Sequence, residues 1–274
     1  MNKRITNSLA IGVLWAAAGI TVATLGALLL YVFVNGISVI SPAFIFTSPH
    51  GVNSEGGIWP TIVSTIYVTA LAMLISTPIS VLAAVYLAEY AHQGRIVDAI
   101  RFAADSLASV PSIVMGLFGF ALFVETMRLG LSMISAALAL SLLMLPIIMR
   151  ATEEAIRAVP KYMRWGSYGL GATKWQTVSK IVLPAAAPRI ITGIVLAMGR
   201  AVGETAVVLY TMGQAVHLPV SPLDSGRPMT VHLYLLAVDG INLPTAFGTA
   251  LLLIVMILGF NLSARLILRG SRKV

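Results

Sequence analysis

The sequence predicts a polytopic, all-α membrane protein, and three observations predict it. Of its 274 residues, 58% are apolar and only 10% charged, against about 25% charged in a soluble domain. Six apolar runs are long enough to cross a hydrocarbon core about 30 Å thick, which takes about 20 helical residues. These runs are apolar all round, whereas barrel strands would alternate over about ten residues between turns. Helices are therefore how this backbone satisfies itself in lipid.

The first run, about 9–34, follows Met1-Asn2-Lys3-Arg4. It exceeds the apolar core of a secretory signal, about 7–15 residues, and reaches the aromatic flank Tyr31 and Phe33, so a retained signal anchor is expected. A loop over 35–59 carries Gly51, Gly56 and Gly57, and the second span covers about 60–88. The remaining spans are expected near 106–127, 131–150, 190–214 and 244–267, with a proline-bearing loop at 215–243. Three prolines, Pro78, Pro111 and Pro146, fall inside spans. Such a residue frees a carbonyl and usually kinks the helix. Each can serve packing alone, while Ser109 and Ser112 beside Pro111 could also line a polar path.

Charge sets the orientation. With the amino end inside, fifteen of the eighteen Lys and Arg residues fall in inner segments; Arg128 and Arg227 lie outside and Arg200 lies within a span. Both termini are therefore expected in the cytoplasm. The net charge of +8 is spread over short connecting segments, not gathered on a soluble module, so nucleic acid is not an expected partner. Lipid is.

Several chemistries are excluded. Without cysteine there are no disulfides, thiolate metal sites or cysteine nucleophiles. No phosphate-cradling Gly-x-x-x-x-Gly-Lys-Ser/Thr loop occurs, so ATP hydrolysis does not belong to this chain. Ser132 at a span edge would need a positioned base, yet His50, His92, His217 and His232 all fall in expected loops. A stand-alone carrier usually shows two related halves, and none are visible.

The longest inner segment, 151–189, reads as helical. Pro160 suits the first turn of a helix running to Leu170, and Gly171 supplies a left-handed residue to end it. Ala172 or Thr173 begins a second short helix toward Ile181, which Leu183-Pro184 is expected to close before the next span. Two short helices carrying Trp165 and Trp175 make a compact knob. Aromatic and basic residues of that kind dominate protein interfaces, and an interfacial helix pair resting on lipid headgroups is the other reading.

Arg200 stands out by its cost. Counted from Arg189 at 1.5 Å per residue it lies about 16 Å deep, near the midplane, where an arginine costs about 2.5–3.5 kcal/mol on an insertion scale. Glu204, one turn on, offers an ion pair. The pair either neutralises itself or leaves Arg200 to attract an oxyanion, which suits guanidinium geometry. Gly199 and Gly203 flank it with the spacing of a close helix contact, within the chain or with a partner.

Gly171, nine residues, then Ile181-Val182-Leu183-Pro184 resembles the coupling loop of ABC importer permeases. The family's Glu-Ala-Ala is replaced here by Trp165-Gly166-Ser167, and Glu154-Ala155 lies too far upstream to stand in. The runs Gly57-Ile58-Trp59-Pro60, Ala84 to Tyr90, Val110 to Gly119, Thr152 to Ala155 and Gly199 to Ala206 are similar to phosphate importer permeases, over about 57–268. Val231-His232-Leu233-Tyr234 favours the PstA type over its PstC partner.

The resemblance implies a type I ABC importer permease fold with six transmembrane helices in a prokaryotic inner membrane. Residues 1–56 would form the signal anchor and an external loop, 57–268 the permease domain with a coupling loop at about 152–188, and 269–274 a basic tail. It implies a non-catalytic subunit importing inorganic phosphate, with phosphonate, sulfate or molybdate as alternative oxyanions. Partners would be a second permease of PstC type, an ATPase dimer of PstB type and an external binding protein of PstS type. No cofactor is expected on this chain, ATP and Mg being used by the ATPase. Arg164, Trp165, Leu170, Gly171, Ala172, Thr173, Trp175, Leu183 and Pro184 would couple to the ATPase; Arg200, Glu204, Thr205, Ser109 and Ser112 would belong to the substrate path.

Overall fold

The long apolar runs become helices that pack side by side, and a computed structural model describes residues 3–50, 55–238 and 240–271 of the chain. Helix α1 (Lys3–Ile37) is exposed along its apolar length and docks by its C-terminal end. There Gly36 lies against α12 (Leu243–Ser271), where a Cβ would sit 2.6 Å from the Phe247 carbonyl oxygen. The Tyr31 and Phe247 rings meet edge to face at 5.5 Å. After α1 come a short helix α2 (Pro42–Phe46), capped by the Ser41 hydroxyl, and a two-residue antiparallel ladder of β1 (Pro49–His50) with β2 (Glu55–Gly56).

The core is built around α3 (Trp59–Val85) and α6 (Met133–Arg157), the most extensively packed pair of helices. The buried face of α3 reads Thr61, Ser64, Thr65, Val68, Thr69, Ala72, Ser76, Ser80 and Ala84. Lipid gives apolar side chains no reason to leave it, so association rests on close packing, which small residues permit. Leu140, Met144 and Ile148 of α6 fill the groove together with Val207, Val208 and Met212. The hydroxyls of Thr61 and Thr65 donate to the Ile58 and Thr61 carbonyls, 2.7 Å each, which satisfies their donors in the apolar interior.

Between these two helices, α4 (Arg95–Ser109) and α5 (Ser112–Gly119, continuing as a wide π-type turn to Thr126) meet at a 100° bend. After α6 come α7 (Lys161–Gly169), α8 (Lys174–Thr177), α9 (Leu183–Val202), α10 (Ala206–Thr211) and α11 (Met229–Val238). Among the described residues five helical stretches are long and apolar enough to span, and six if the bent pair counts as one.

Besides the expected 215–243 loop, in which Met229–Val238 is helix α11 with His232 buried in it, four expectations need correction. The third span does not run unbroken over 106–127: Val110 and Pro111 are extended and the helix restarts at Ser112. The residue before a proline is pushed out of helical geometry, and Val110 takes that extended form while packing on the main apolar cluster. By contrast Pro78 and Pro146 stay inside continuous helices. Second, Leu183-Pro184 closes nothing: Lys174–Val202 is one helical stretch. A π-type turn at Val178–Val182, in which Leu183 N–H donates to Val178, steps the ladder just before the residue that lacks an N–H. Third, the fifth span ends at Val202, not near 214, so Arg200 stands in the last turn of its helix. From Leu183 that is about 26 Å along the axis at 1.5 Å per residue, far from the helix middle. Fourth, because Gly203 and Glu204 lie beyond that end, Glu204 is not one turn on along a shared helical face, and the ion pairs of the described residues do not include either partner. Of the basic tail, residues 272–274 lie outside the described ones.

Candidate functional site

The knob forms as the local sequence demands. Gly171 adopts φ 81°, in the left-handed region where an L side chain is strained. That turn lets the Ala172 N–H reach the Ser167 carbonyl at 3.2 Å and the Gly171 N–H reach that of Tyr168 at 2.9 Å, the paired bonds of a Schellman cap. Thr173 then caps α8: its hydroxyl accepts from the Gln176 N–H at 3.3 Å, while Gln176 Oε1 accepts from the Thr173 N–H at 2.8 Å. Ser167 and Thr177 share a buried hydroxyl bond of 2.8 Å that ties α7 to α8. Ser167 is one of the three residues departing from the family pattern, and it serves the hairpin from within.

The outer surface of this hairpin mixes large apolar side chains with cations, among them Lys161, Lys174 and Lys180. Leu170 is 91% exposed at the tip, flanked by exposed Tyr162, Trp165 and Trp175. Ala172 is half-buried, Leu183 half-buried and Pro184 exposed. Beneath lies a small core of Val159, Val178, Val182, Ala186 and Ile190. Arg164 turns away from that outer surface: its side chain is 15% exposed, against 8% for its partner Glu89.

Three carboxylates order the same end of the bundle. Glu89, in the π-type turn Tyr86–Tyr90 that ends α3, accepts from Arg164 Nε at 3.0 Å and Nη2 at 2.6 Å. Glu153 of α6, almost fully buried, accepts from Arg101 Nε of α4 at 2.9 Å and from Arg157 Nη2 at 2.7 Å. Asp105 of α4 pairs with Arg150 of α6. Sequence reasoning missed Glu89, Glu153 and Asp105. The signal was available: a lone acid at the end of an apolar span, among many cations, has a partner to be found.

At the other end of α6, the 215–228 loop closes on the helix start. The Asp224 and Pro222 carbonyls accept from the otherwise unpaired N–H groups of Met133 and Ile134, at 2.9 and 2.8 Å. The Asp224 carboxylate accepts from the Ser221 and Val220 N–H groups, 2.8 Å each. These bonds hold its pKa below the ordinary carboxylate value.

Of the candidate path residues, Glu204 and Thr205 stand at the break between α9 and α10. Thr205 lines a cavity of about 430 Å³ with Ile113, Tyr210, Thr230 and Tyr234. Thr230 donates to the Glu204 carbonyl at 2.9 Å, pinning the break to α11. Arg200 is exposed, Glu204 half-buried. A Cβ on Gly199 would come no nearer than 3.8 Å to Asn261 of α12, and one on Gly203 would meet only carbonyls of the preceding turn, so among the described residues no close contact uses both. Ser109 is exposed and donates to the Ser106 carbonyl, and Ser112 begins α5 half-buried.

A bundle bent in this way, with a capped hairpin at one end, matches a known family over residues 76–273: the binding-protein-dependent transport system inner membrane component. The chain belongs to this family. The permease is 38% identical over 282 residues to a probable ABC transporter permease protein, YqgI, of Bacillus subtilis, covering 97% of this chain and 96% of that one. It is 35% identical to the phosphate transport system permease protein PstA 1 of Mycobacterium tuberculosis, covering 97% and 90%. A chain of a bacterial ABC transporter involved in importing the acidic polysaccharide alginate superposes with a TM-score of 0.68 at 14% identity, covering 99% of each. That likeness establishes the type I importer permease fold. The permease is thus a multi-pass inner-membrane component of a binding-protein-dependent transport system.

Proposed function

We propose that this permease is the PstA-type subunit of an ATP-driven importer of inorganic phosphate, forming half of a path whose other half is a second permease of PstC type. The observation that carries this reading is the full-length similarity to a phosphate permease, 35% identical across 97% of the chain. In this reading both termini and the knob face the cytoplasm, since most cations lie on that side. An external binding protein of PstS type delivers phosphate, and the subunit performs no chemistry on it. ATP and Mg are handled by an ATPase dimer of PstB type, whose groove receives Leu170, Trp165 and Trp175 on the outer face of the knob.

Arg200 carries the substrate role. It is an exposed guanidinium at the end of a spanning helix, and the ion pairs among the described residues do not include it. Such a group attracts a tetrahedral oxyanion through paired charge-assisted bonds. Thr205 and the hydroxyls of Tyr210 and Tyr234 offer further donors around the neighbouring cavity.

The test is uptake of labelled phosphate by vesicles holding the permease with its second permease, ATPase and binding protein. Wild type should take up phosphate only with ATP, and Arg200→Gln should insert normally yet transport none. Wild-type rates in Arg200→Gln would confine Arg200 to packing. ATP-driven uptake of sulfate, molybdate or phosphonate in place of phosphate would reassign the substrate.

A further inference from the structure

We infer that Arg164 and Glu89 form the strut that makes the knob move as one body with the cytoplasmic ends of α3 and α6, so that the pair positions the coupling surface and transmits its motion without itself touching the ATPase. The inference rests on the transporter reading above and goes beyond it.

The geometry is that of a three-way tie. Arg164 sits in the middle of α7 and sends Nε and Nη2 to Glu89 at the end of α3, at 3.0 and 2.6 Å. Its remaining contacts are the Ile156 carbonyl in the last turn of α6, from Nη2 at 2.9 Å, and the Val159 carbonyl just beyond that helix, from Nη1 at 2.7 Å. Carbonyls at a helix C-terminus have no partner within the helix and carry partial negative charge. One guanidinium therefore joins three segments, and only its planar fork of five donors reaches all of them.

The rest of the contact between α7 and the end of α3 is apolar: Met163 of α7 packs on the cluster that holds Val85, Ala155 and Ile156. A cavity of about 790 Å³ opens between the two helices, lined by Glu89, Gln93, Arg157, Lys161, Arg164 and Trp165. A second support stands beside it, the Lys174 ammonium 5.0 Å from the centre of the Tyr90 ring. Both supports end on the π-type turn of α3. That turn in turn leads into α4, which Arg101–Glu153 and Asp105–Arg150 fasten to α6. A push on Leu170 thus passes through a mostly dry ion pair into the two helices that form the core. A mostly dry pair is hard to break.

The experiment uses the complete reconstituted complex with Glu89→Gln, Arg164→Lys and the reversed pair Glu89→Arg/Arg164→Glu. Each single variant should still copurify with the ATPase and hydrolyse ATP, while phosphate taken up per ATP falls about tenfold or more, the usual effect of losing a charged hydrogen bond. The reversed pair restores the charge pairing but not the carbonyl bonds of Arg164, so it should transport no better than the single variants. Wild-type uptake per ATP in Glu89→Gln would overturn the strut, and so would loss of ATPase copurification in both single variants, which would mean the pair only shapes the docking surface. Because the chain has no cysteine, spin labels at Leu74 on α3 and Leu170 report the strut in the permease itself. A narrow distance distribution should broaden in Glu89→Gln, and an unchanged one overturns the inference. Wild-type vesicles that take up no phosphate would refute the proposed substrate alone, since the label distances stand apart from it.

Discussion

Replacing Gly171 separates the shape of the knob from its chemistry. The residue holds φ 81°, and a Cβ built there would meet no atom within 4 Å. Steric clash with neighbours is thus absent, and the cost of a side chain is the backbone strain alone. For an L residue in the left-handed region that is about 1–2 kcal/mol. The hairpin relieves this strain by abandoning its Schellman turn, so the docking-competent population falls and the apparent Kd for the ATPase rises by about 5–30-fold at most. Gly171→Ala should show an effect in that range. Gly171→Asn should show much less, because asparagine tolerates left-handed geometry, and Gly171→Val should be worst. Binding of the purified ATPase to the permease in nanodiscs, titrated for each variant, gives the three numbers. Equal affinities across the series, or asparagine weakest, would show that the turn at Gly171 does not govern docking.

Two further outcomes follow from other parts of the fold. A Cβ on Gly193 would lie 2.4 Å from that of Ala151, where α9 crosses α6, so Gly193→Ala should cost about 1–3 kcal/mol by overpacking. Thermal unfolding in detergent should show this loss, and adding Ala151→Gly should restore most of it; an equally unstable double variant would place the strain elsewhere. In the 215–228 loop, folding lowers the pKa of Asp224. Its contribution is therefore complete above the unfolded pKa and disappears only as pH falls through the lower folded one. Wild-type loop protection from protease should stay constant from neutrality down to about pH 5, while Asp224→Ala should be cleaved faster at neutral pH. Decay of the wild-type protection above that range would contradict the assignment.

The hairpin was legible because its signals are local. Gly171 at a helix end, Thr173 three residues before Gln176, and aromatic residues on a short amphipathic stretch each act within one or two turns. The third span was misread for the complementary reason. Hydropathy counts apolar residues and is blind to whether Val110-Pro111 continues a helix or turns it by 100°. Proline alone did not decide the matter, since Pro78 and Pro146 pass through intact helices while Pro111 starts a new one. Arg200 was found by its charge but misplaced along its helix, because Gly203, which caps the helix after Val202, reads equally as a small residue at a helix contact.

Composition, run length and cation placement by themselves determined that this chain crosses a membrane several times and carries a helical hairpin between its spans. Those properties are sums over neighbouring residues, and lipid enforces them one segment at a time. Only the tertiary structure decided which charges meet. Glu89 and Arg164 are 75 residues apart, and Arg101 and Glu153 are 52 apart. Pairings over such distances depend on how the helices pack and where they end, and no local pattern of residues records either.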